Sequence, residues 1–355
     1  MEKKDEHRAD SNKLDVTCKR LLTDEDFTLD LKLRIKKTKD QLTLSGKTPS
    51  EKGIAWIRNH RAPGGGIVVH HKTSVATPEV TGYIIETLYN YGETEFAYEL
   101  ARWEASVQRA DGSFGAPNSD VPYTFDTAQV IRGFLAVHDA LPELTGNLIR
   151  ACDFVESQIS KEGKVMSLSY DTWRTWDGDT FTEYTDLYVL PPLLQAGQKL
   201  REKKYTDAAL RGLNYFKRKP DLVEFKPKPA TISHIFGYMM EALVELGEVE
   251  LAEEGLKQVV KVQKEDGSIP AYPGVSWICS TGMAQLAIAF YKLGFKEPAD
   301  KAMAYLDKIQ NPSGGFYGSY GKGAMYFPKE EISWATKFFL DACLLRKNQP
   351  KTQLK

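Results

Sequence analysis

The sequence lacks the signals that mark disulfide-rich, membrane-spanning and nucleic-acid-binding proteins. Its four cysteines lie far apart among 355 residues and form no Cys-x-x-Cys pair, which argues against a disulfide framework and a zinc knuckle. No run of about 18 apolar residues is present, so we predict no membrane span. The 47 Lys and Arg residues nearly balance the 48 Asp and Glu residues, and no basic stripe is present, so we predict no nucleic-acid partner.

The sequence also lacks a secretion signal and the common cofactor motifs. The N-terminal segment 1–8 is charged and has no apolar core of the kind that a signal peptide needs, which predicts a cytoplasmic protein. The triplet Gly64-Gly65-Gly66 has neither the strand–helix context nor the lysine of a phosphate-binding loop. We therefore predict no cofactor and no bound metal.

What the sequence does contain is a repeated phrase, Gln-x-x-Asp-Gly-Ser-Phe. Successive copies end 44 to 60 residues apart. A glutamine at a helix end, a tight Asp-Gly turn and a final apolar anchor suit the phrase to join one helix to the next. The clear copies or close variants are 108–114, 263–269 and 310–316, and degenerate copies lie at 61–67, 158–165 and 219–225.

A helix is predicted before and after every copy. The leading helices mix apolar residues with Lys, Glu and Arg, as amphipathic outer helices do, whereas the trailing helices are apolar on nearly every face, as buried helices are. The leading helices are Ser50–His60, Thr94–Gln108, Gly146–Ile159, Tyr205–Lys219, Val249–Gln263 and Glu297–Gln310. The trailing helices are Thr81–Tyr91, Thr127–Ala140, Thr185–Ala196, Ile232–Leu246, Ser280–Leu293 and Ile332–Leu344. This alternation predicts an all-α (α/α)6 barrel whose phrase loops emerge at one end.

Three segments are predicted along the chain. Residues 1–45 are charge-rich and form a peripheral arm, residues 46–347 form the toroid, and residues 348–355 form a polar tail. Strand signals are few, but Ile67–His71 and Lys164–Trp173 are compatible with short β-hairpins in the mouth loops. Several trailing helices are followed by glycine, as at Gly92 and Gly197, which predicts helix ends there.

The repeats resemble those of two groups of helical toroids across roughly residues 50–345. The phrase Gln-x-x-Asp-Gly-Ser-Phe is similar to repeats of the terpenoid cyclases and protein prenyltransferases. The six-hairpin count resembles the six-hairpin glycosidases and the related polysaccharide lyases and epimerases. Both resemblances concern architecture, and function does not follow from a fold alone.

The residues that the lipid-acting toroids imply are not found. The cyclase resemblance implies an Asp-x-Asp-Asp acid, and the nearest segment, Asp177-Gly-Asp179-Thr, lacks the paired final Asp. The prenyltransferase resemblance implies a zinc ion held by Asp-x-Cys and a distant His, and Cys279 lacks the required Asp. An isoprenoid substrate is therefore a disfavoured alternative, and a non-catalytic interaction ring is a third hypothesis.

The predicted inner helices begin with residues that differ from their apolar bodies. Carboxylates and hydroxyls at these positions suit helix capping and the helix dipole, so capping is the simplest interpretation of any single position. Capping does not explain the aromatic and histidine residues beside them, and six such starts share one rim. These candidates are Glu79, Tyr83, Tyr123, Asp126, Glu183, Tyr184, Asp186, His234, Trp277, Glu331 and Trp334.

The rim loops add aromatic and cationic side chains. Sugar rings require flat aromatic faces with polar groups beside them for the hydroxyls, although the same aromatic residues can simply pack the loops. The richest segment, residues 169–179, lies in the longest inter-helix insertion, and long loops in compact domains are often functional. The predicted loop contacts to substrate are His71, Lys72, Trp173, Arg174, Trp176 and Tyr326.

Three chemistries remain open for a saccharide bound at this rim. Hydrolysis needs a protonated carboxyl and a second carboxylate, and the candidates are Glu79, Asp126, Glu183, Asp186 and Glu331. Elimination or epimerisation needs a base and a cation that stabilises an enolate. The candidate bases are Tyr184, His71 and His234, and the candidate cations are Arg174 and Lys72. A lone histidine on an inner helix is more often a packed core residue, so His234 is a weaker candidate.

The segment 77–83 also looks like parts of proteins associated with surface-polysaccharide metabolism. The local excess of His, Arg and Lys at the rim, in a chain of net charge -1, favours an anionic saccharide. We therefore predict a carbohydrate-active enzyme whose glycan substrate contains uronic acid. Its predicted catalytic residues are Glu79, Asp126, Glu183, Tyr184, Asp186 and His234.

Overall fold

The computed structural model describes residues 44–117, 120–166, 175–178 and 183–349. The predicted N-terminal arm up to residue 43 and the tail from residue 350 lie outside the described residues, and so do Trp173 and Arg174. The helices belong to one compact unit, Lys47–Lys355.

Twelve α-helices occur in the described residues, and they correspond one by one to the twelve that the sequence predicts. They are α1 Pro49–Asn59, α2 Pro78–Asn90, α3 Thr94–Val107, α4 Thr124–Val137, α5 Thr145–Ser157, α6 Leu190–Leu200, α7 Lys203–Lys217, α8 Ser233–Glu245, α9 Val249–Val262, α10 Ser280–Lys292, α11 Lys296–Ile309 and α12 Ser333–Asn348. Short 3-10 turns precede α5, α6 and α8 at Pro142–Leu144, Glu183–Val189 and Pro229–Thr231.

The even-numbered helices form an inner ring and the odd-numbered helices surround it. Helix α2 packs against α4, α8 against α10, and α10 against α12, and α12 returns to α2 and closes the ring. The turn Glu183–Val189 and helix α6 fill the third place between α4 and α8. Each inner helix packs on an outer one, with α12 against α1 at the closure. The predicted all-α (α/α)6 architecture is confirmed.

The burial pattern explains why the two kinds of helix occupy different layers. Every residue of α10 from Ser280 to Tyr291 is buried. Helix α9 buries one stripe that includes Leu256 and Val259, while Glu254 and Lys257 are exposed. Because burying one large aliphatic side chain contributes about 1.5–3 kcal/mol, an all-apolar helix is most stable inside and a striped helix at the surface.

The repeated phrase ties neighbouring outer helices together. The side-chain amide of Gln310 donates to the carbonyl of Gly314 in its own loop (2.9 Å) and to the carbonyl of Pro49 at the start of α1 (2.9 Å). This second hydrogen bond joins the last outer helix to the first. Equivalent pairs run from Gln108 to Gly112 and Asn147, and from Gln263 to Gly267 and Pro298.

The glycine of the phrase is required by its backbone and by its neighbour. Gly314 has a φ of +93°, and a β-carbon there would lie 2.2 Å from the carbonyl oxygen of Lys52 in α1. Gly112 and Gly267 also have positive φ and lie equally close to the next outer helix. A residue with a β-carbon would therefore strain the turn and separate the two helices.

The third inner helix differs from its prediction. Instead of one helix over Thr185–Ala196, the chain forms a 3-10 turn and then α6, which has proline at its start. Proline suits the first turn of a helix because its missing N–H is not needed there. The predicted end at Gly197 is wrong, because Gly197 lies inside α6, where a β-carbon would be 2.5 Å from Thr206 Oγ1. Arg201, with a φ of 58°, ends the helix.

Strand pairing is sparse in the described residues. A two-residue strand β1, Ile278–Cys279, pairs antiparallel with β2, Ser319–Tyr320, and the sequence did not predict it because such short strands carry no periodic signal. The predicted hairpin at Ile67–His71 appears only as isolated bridges, including His70 to Ile332. Most of the predicted hairpin Lys164–Trp173 lies outside the described residues.

In the described ranges, no helix combines the length and the apolar composition that crossing a lipid bilayer requires.

Candidate functional site

A pocket of about 780 Å³ opens at the end of the ring where the inner helices begin. Its volume is in the range of small-molecule binding sites. Side chains from the starts of α2, α4, α8 and α12 line it, together with the loops before α6 and α12. Seven of the predicted site residues meet in this pocket, namely Glu79, Tyr123, Asp126, Trp176, His234, Tyr326 and Trp334.

The carboxyl groups of Glu79 and Asp126 lie in this pocket because α2 and α4 approach each other very closely. A β-carbon on Gly82 would be 2.7 Å from the Cα atom of Val130, and one on Gly133 would be 2.4 Å from the carbonyl oxygen of Gly82. The two helices therefore touch backbone to backbone. Glu79 lies one turn before Gly82, and Asp126 one turn before Val130, so the contact brings the two carboxyl groups into electrostatic range.

The two carboxyl groups hold a proton at neutral pH. Burial raises the pKa of Asp126 to about 7, although the charge of Arg109 opposes this shift. Burial also raises the pKa of Glu79 well above its usual range, and the negative charge of Asp126 raises it further. Among the described residues, Asp126 Oδ1 has no hydrogen-bond partner. Because two neighbouring carboxyls resist ionising together, Asp126 ionises first and Glu79 remains protonated.

His234 is a neutral side chain in the wall of the pocket. Its Nδ1 atom lies 2.6 Å from Gln285 Oε1, so the histidine donates at Nδ1 and keeps Nε2 unprotonated. Burial lowers the pKa of His234 to about 4, and the hydrogen bond to Gln285 only partly offsets this. The histidine ring also packs against Tyr238 and Tyr326, with centroids 4.5 and 5.7 Å away. His234 therefore lines the pocket as an uncharged polar group.

Three tyrosines lie near the carboxyl pair. Burial and the charge of Glu79 raise the pKa of Tyr83, Tyr238 and Tyr326 well above the usual range. The Tyr83 hydroxyl has no hydrogen-bond partner in the described part of the chain. Tyr83 is fully buried and does not line the pocket. These phenols are therefore neutral hydrogen-bonding groups and unsuited to act as phenolate bases.

Tryptophan rings form two parts of the pocket wall. Trp176 is partly exposed and packs edge-on against Trp277 (centroids 5.5 Å apart) and on Tyr272. Trp277 is buried and does not line the pocket, so it supports Trp176 from behind. On another side, Trp334 donates from its indole nitrogen to the Tyr326 hydroxyl (3.2 Å). Each tryptophan that lines the pocket therefore contacts a second aromatic residue.

Glu331 is held away from the pocket. Its carboxylate accepts hydrogen bonds from Trp56 Nε1 (2.7 Å), Asn311 Nδ2 (2.8 Å) and Ser313 Oγ (2.7 Å). These partners lie on α1 and in the last phrase loop. Glu331 therefore stabilises the closure of the ring, although it was predicted to contact substrate.

Three predicted catalytic residues at the third inner helix also do not line the pocket. Glu183 forms an ion pair with Lys219 (2.8 Å), and the Tyr184 hydroxyl donates to Asp221. Burial and the bond to Asp221 raise the pKa of Tyr184. Asp186 is buried and is absent from the pocket lining. They lie before α6, at the pocket end of the ring, but none of them is part of the pocket lining.

Two predicted loop contacts lie beside the pocket rather than in it. His71 Nδ1 accepts a hydrogen bond from the backbone of Glu331 (2.9 Å). Lys72 forms an ion pair with Glu330 (2.6 Å), and Glu330 itself lines the pocket. The neighbouring His70 also lines the pocket, and burial lowers its pKa. Among the described residues, the pocket lining therefore contains no Lys or Arg side chain.

Sequence reasoning missed several residues at or near the pocket. Tyr238 and Met325 line it, and Gln285 orients His234. Tyr238 lies four residues after His234, on the same helical face, so the helical repeat was the available signal. Gln285 gave no signal, since its role depends on the packing of α10 against α8. In the described ranges, no three His, Cys, Asp or Glu side chains are grouped so that they could hold a metal ion.

The fold is similar to that of solved six-hairpin proteins. An α-amylase from Clostridium perfringens shares 16% identity over 86% of this chain and 99% of its own, with a TM-score of 0.65. An unsaturated glucuronyl hydrolase specific for heparin shares 12% identity over 84% of this chain and 95% of its own, with a TM-score of 0.64. A polysaccharide lyase shares 12% identity over 84% and 96%, with a TM-score of 0.57. No protein-family model and no curated protein matches the sequence.

At these identities the similarity shows the fold. The chain has the six-hairpin (α/α)6 toroid fold that the six-hairpin count predicted, and these solved structures share it.

Proposed function

We propose that the protein is a carbohydrate-active enzyme that cleaves a glycosidic bond in the 780 Å³ pocket. The observation that carries this proposal is the pair of coupled carboxyl groups, Glu79 and Asp126, beside aromatic side chains. Glycoside hydrolysis uses one protonated carboxyl as general acid and a second carboxylate as base or nucleophile. Perturbed carboxyls in a cleft are also a general indicator of a catalytic site.

The electrostatics divide the two roles. Glu79 keeps its proton at neutral pH because burial and the charge of Asp126 raise its pKa, so it is the general acid that protonates the leaving oxygen. Asp126 ionises near pH 7 and either activates water or attacks the anomeric carbon. Trp176 and Trp334 offer aromatic faces to the sugar ring, and His234 offers a neutral nitrogen to its hydroxyls.

Elimination and epimerisation have less support. Both need a base at the α-carbon of a uronate and a cation beside its carboxylate. Among the candidate bases, Tyr184 and His71 do not line the pocket, and burial lowers the pKa of His234 to about 4, which makes it a weak base. Lys72 is paired with Glu330. Hydrolysis needs none of these groups.

The two other hypotheses have weaker support as well. An isoprenoid substrate suits an aromatic pocket without acids, whereas here two carboxyls lie among the aromatic residues. A purely structural ring suits a centre filled by side chains, and here a pocket of about 780 Å³ is open. Similar structures include proteins named as an α-amylase, an unsaturated glucuronyl hydrolase and a polysaccharide lyase, which favours a saccharide substrate.

A uronic-acid-containing glycan is the finer form of the proposal. It draws support from the similar structure named as a glucuronyl hydrolase and from the predicted contact Arg174. No Lys or Arg of the described part lines the pocket, so the cation for a uronate is expected from Arg174.

The test is a panel of neutral and uronate-bearing oligosaccharides, read by new reducing ends and by the absorbance of unsaturated products. We expect reducing ends without new absorbance, and we expect E79Q and D126N to abolish them. The matched control is E183Q, because Glu183 pairs with Lys219 outside the pocket. Turnover that persists in both E79Q and D126N contradicts the proposal.

A further inference from the structure

A buried tyrosine, Tyr188, contacts the wall of the pocket from outside the lining and has no role in the chemistry described above. It lies near the end of the 3-10 turn Glu183–Val189. Only 1% of Tyr188 is exposed, and the residue is not part of the pocket lining. The turn packs against both α4 and α8, so Tyr188 meets side chains from two neighbouring inner helices.

On α8, Tyr188 packs against Tyr238. The two ring centroids are 4.5 Å apart, and the ring planes meet at 42°. Tyr238 lines the pocket and packs in turn against His234, again with centroids 4.5 Å apart. His234 also lines the pocket. A direct series of ring contacts therefore joins Tyr188 to two residues of the pocket wall.

On α4, the guanidinium of Arg132 lies over the Tyr188 ring, with Cζ 4.3 Å from the ring centroid. Arg132 is only 4% exposed, and its Nη1 forms an ion pair with Glu245 Oε2 (2.8 Å). In the part of the chain that the structure describes, its Nε and Nη2 atoms have no hydrogen-bond partner. An aromatic face attracts a cation, and the attraction is stronger when both groups are removed from water. Arg132 therefore holds the Tyr188 ring from the second helix.

We propose that Tyr188 is a positioning residue, clamped by Arg132, which holds Tyr238 and His234 where they contact a sugar. This inference rests on the proposed function for the identity of the ligand. Gln285 fixes only the Nδ1 end of His234 (2.6 Å), so the tilt of the histidine ring depends on the rings that pack against it. Because aromatic pairs adopt defined geometries, losing the Tyr188 ring should shift Tyr238 and then His234. The Nε2 acceptor for a sugar hydroxyl shifts with the histidine ring.

The other neighbours of Tyr238 limit the size of this movement. Phe125 and Phe338 pack edge-on against it, with centroids 5.2 and 5.8 Å away. Both centroid distances are longer than that to Tyr188, and both residues remain in a Tyr188 variant. We therefore expect a displaced pocket wall and not a collapsed one.

The first experiment is proton–carbon NMR of the free protein with isotope-labelled histidine, in which H234Q identifies the ring signal of His234. The ring current of Tyr238 displaces this signal from the position of an exposed histidine. We expect the signal to move toward that position in Y188L and to stay at the parent position in Y188F, which keeps the ring. An unmoved signal in folded Y188L overturns the inference.

The second experiment tests the clamp with R132A/E245Q, which removes the cation without leaving its carboxylate partner charged. The His234 signal should move in the same direction as in Y188L. An unmoved signal overturns the role of Arg132, and if Y188L does not fold, it overturns the whole inference.

The matched control for lost stability is Q310A, which removes the hydrogen bonds of Gln310 to Pro49 and Gly314. This variant should be less stable than the parent protein and still show the parent His234 signal. If the signal moves in Q310A as far as in Y188L, it reports stability alone and the inference is overturned.

The saccharide panel separates this inference from the proposed function. If a saccharide is cleaved, Y188L should raise KM about tenfold with little change in kcat, because it leaves the contact of Gly82 with Val130 in place. Y188F should restore the parent KM. If the NMR results are as expected but no saccharide is cleaved, the role of Tyr188 stands and the proposed function fails. If saccharides are cleaved but the His234 signal is unmoved in Y188L, the proposed function stands and this inference fails.

Discussion

Gly82 of α2 lies directly on the backbone of Val130 in α4, where a β-carbon would be 2.7 Å from both the Cα and the nitrogen of Val130. Glu79 and Asp126 lie one helical turn before this contact. The distance between α2 and α4, and with it the coupling of the two carboxyls, therefore depends on Gly82. We predict that G82A separates the helices, lowers stability by about 1–3 kcal/mol and weakens the coupling of Glu79 to Asp126. Thermal unfolding and the pH–rate profile measure the two effects.

The matched control for this substitution is G64A. Gly64 has no atom within 4 Å of an added β-carbon, and its backbone does not require glycine. G64A should therefore have the thermal stability and the pH–rate profile of the parent protein. If G82A behaves like G64A, the close contact does not set the position of the carboxyl pair.

The twelve helices were predictable because the repeated phrase and the alternation of striped and apolar segments are local features. The rotation of each inner helix about its own axis could not be predicted from the sequence. A helix that is apolar all round carries no polar stripe to indicate which side faces the axis. For this reason Glu79 and Glu331, both at inner-helix starts, looked equivalent in sequence, yet one lines the pocket and the other binds Trp56.

The interior charges were missed for a related reason. Arg132, Glu241 and Lys337 are buried on inner helices, Glu245 is partly buried, and the exposed Lys292 pairs with Glu245. Each appears as an isolated charge in an apolar segment, and only the closed ring brings them together. Sequence patterns report the environment of one helix, whereas this network depends on several.

The pH dependence of turnover tests the division of roles between the two catalytic carboxyls. Activity should rise as pH increases through about 7, where Asp126 ionises, and fall at higher pH as Glu79 loses its proton. D126N should remove the rising limb, and E79Q should lower kcat by about 10²–10⁴-fold. If activity instead falls steadily from pH 5 to 9, the enzyme with ionised Asp126 is inactive and the proposed division of roles is wrong.

The ring-closing glutamine should be important for stability. Q310A removes two hydrogen bonds, to the carbonyl oxygens of Pro49 and Gly314. We expect a loss of about 1–3 kcal/mol, measured by denaturant unfolding. Q158A is the control, because the Gln158 side chain bonds only to its neighbour Ser157 among the described residues. Equal losses in the two variants would contradict a closing role.

The buried ion pair between Arg132 and Glu245, with Nη1 and Oε2 2.8 Å apart, gives a double-mutant test. Arg132 also lies over the Tyr188 ring at 4.3 Å. R132M should lower the free energy of unfolding by about 3–5 kcal/mol because it removes the main partner of the Glu245 carboxylate. The double variant R132M/E245Q should lose less stability than the sum of the two single variants. K203M, which breaks an exposed pair with Asp207, should change stability by no more than about 0.5 kcal/mol. Additive losses would show that the pair is not coupled.

Glu241 makes folding stability depend on pH in a direction opposite to that of an ordinary paired carboxylate. Burial raises its pKa from 4.5 to about 8, against the lowering effect of Lys337, Lys292 and Arg132 and together with the charge of Glu245. Because the folded protein holds this proton more tightly than the unfolded chain, the stabilisation is complete below pH 4.5 and is lost as pH rises toward 8. The free energy of unfolding should therefore decrease between pH 5 and 8.

The variant E241Q, which is neutral at every pH, should flatten this decrease. Asp126, Glu104 and Glu79, whose pKa values are also raised, retain part of it. E254Q, at an exposed site on α9, should leave the slope unchanged, and an E241Q slope equal to that of the parent would mean that Glu241 is already ionised in the folded state.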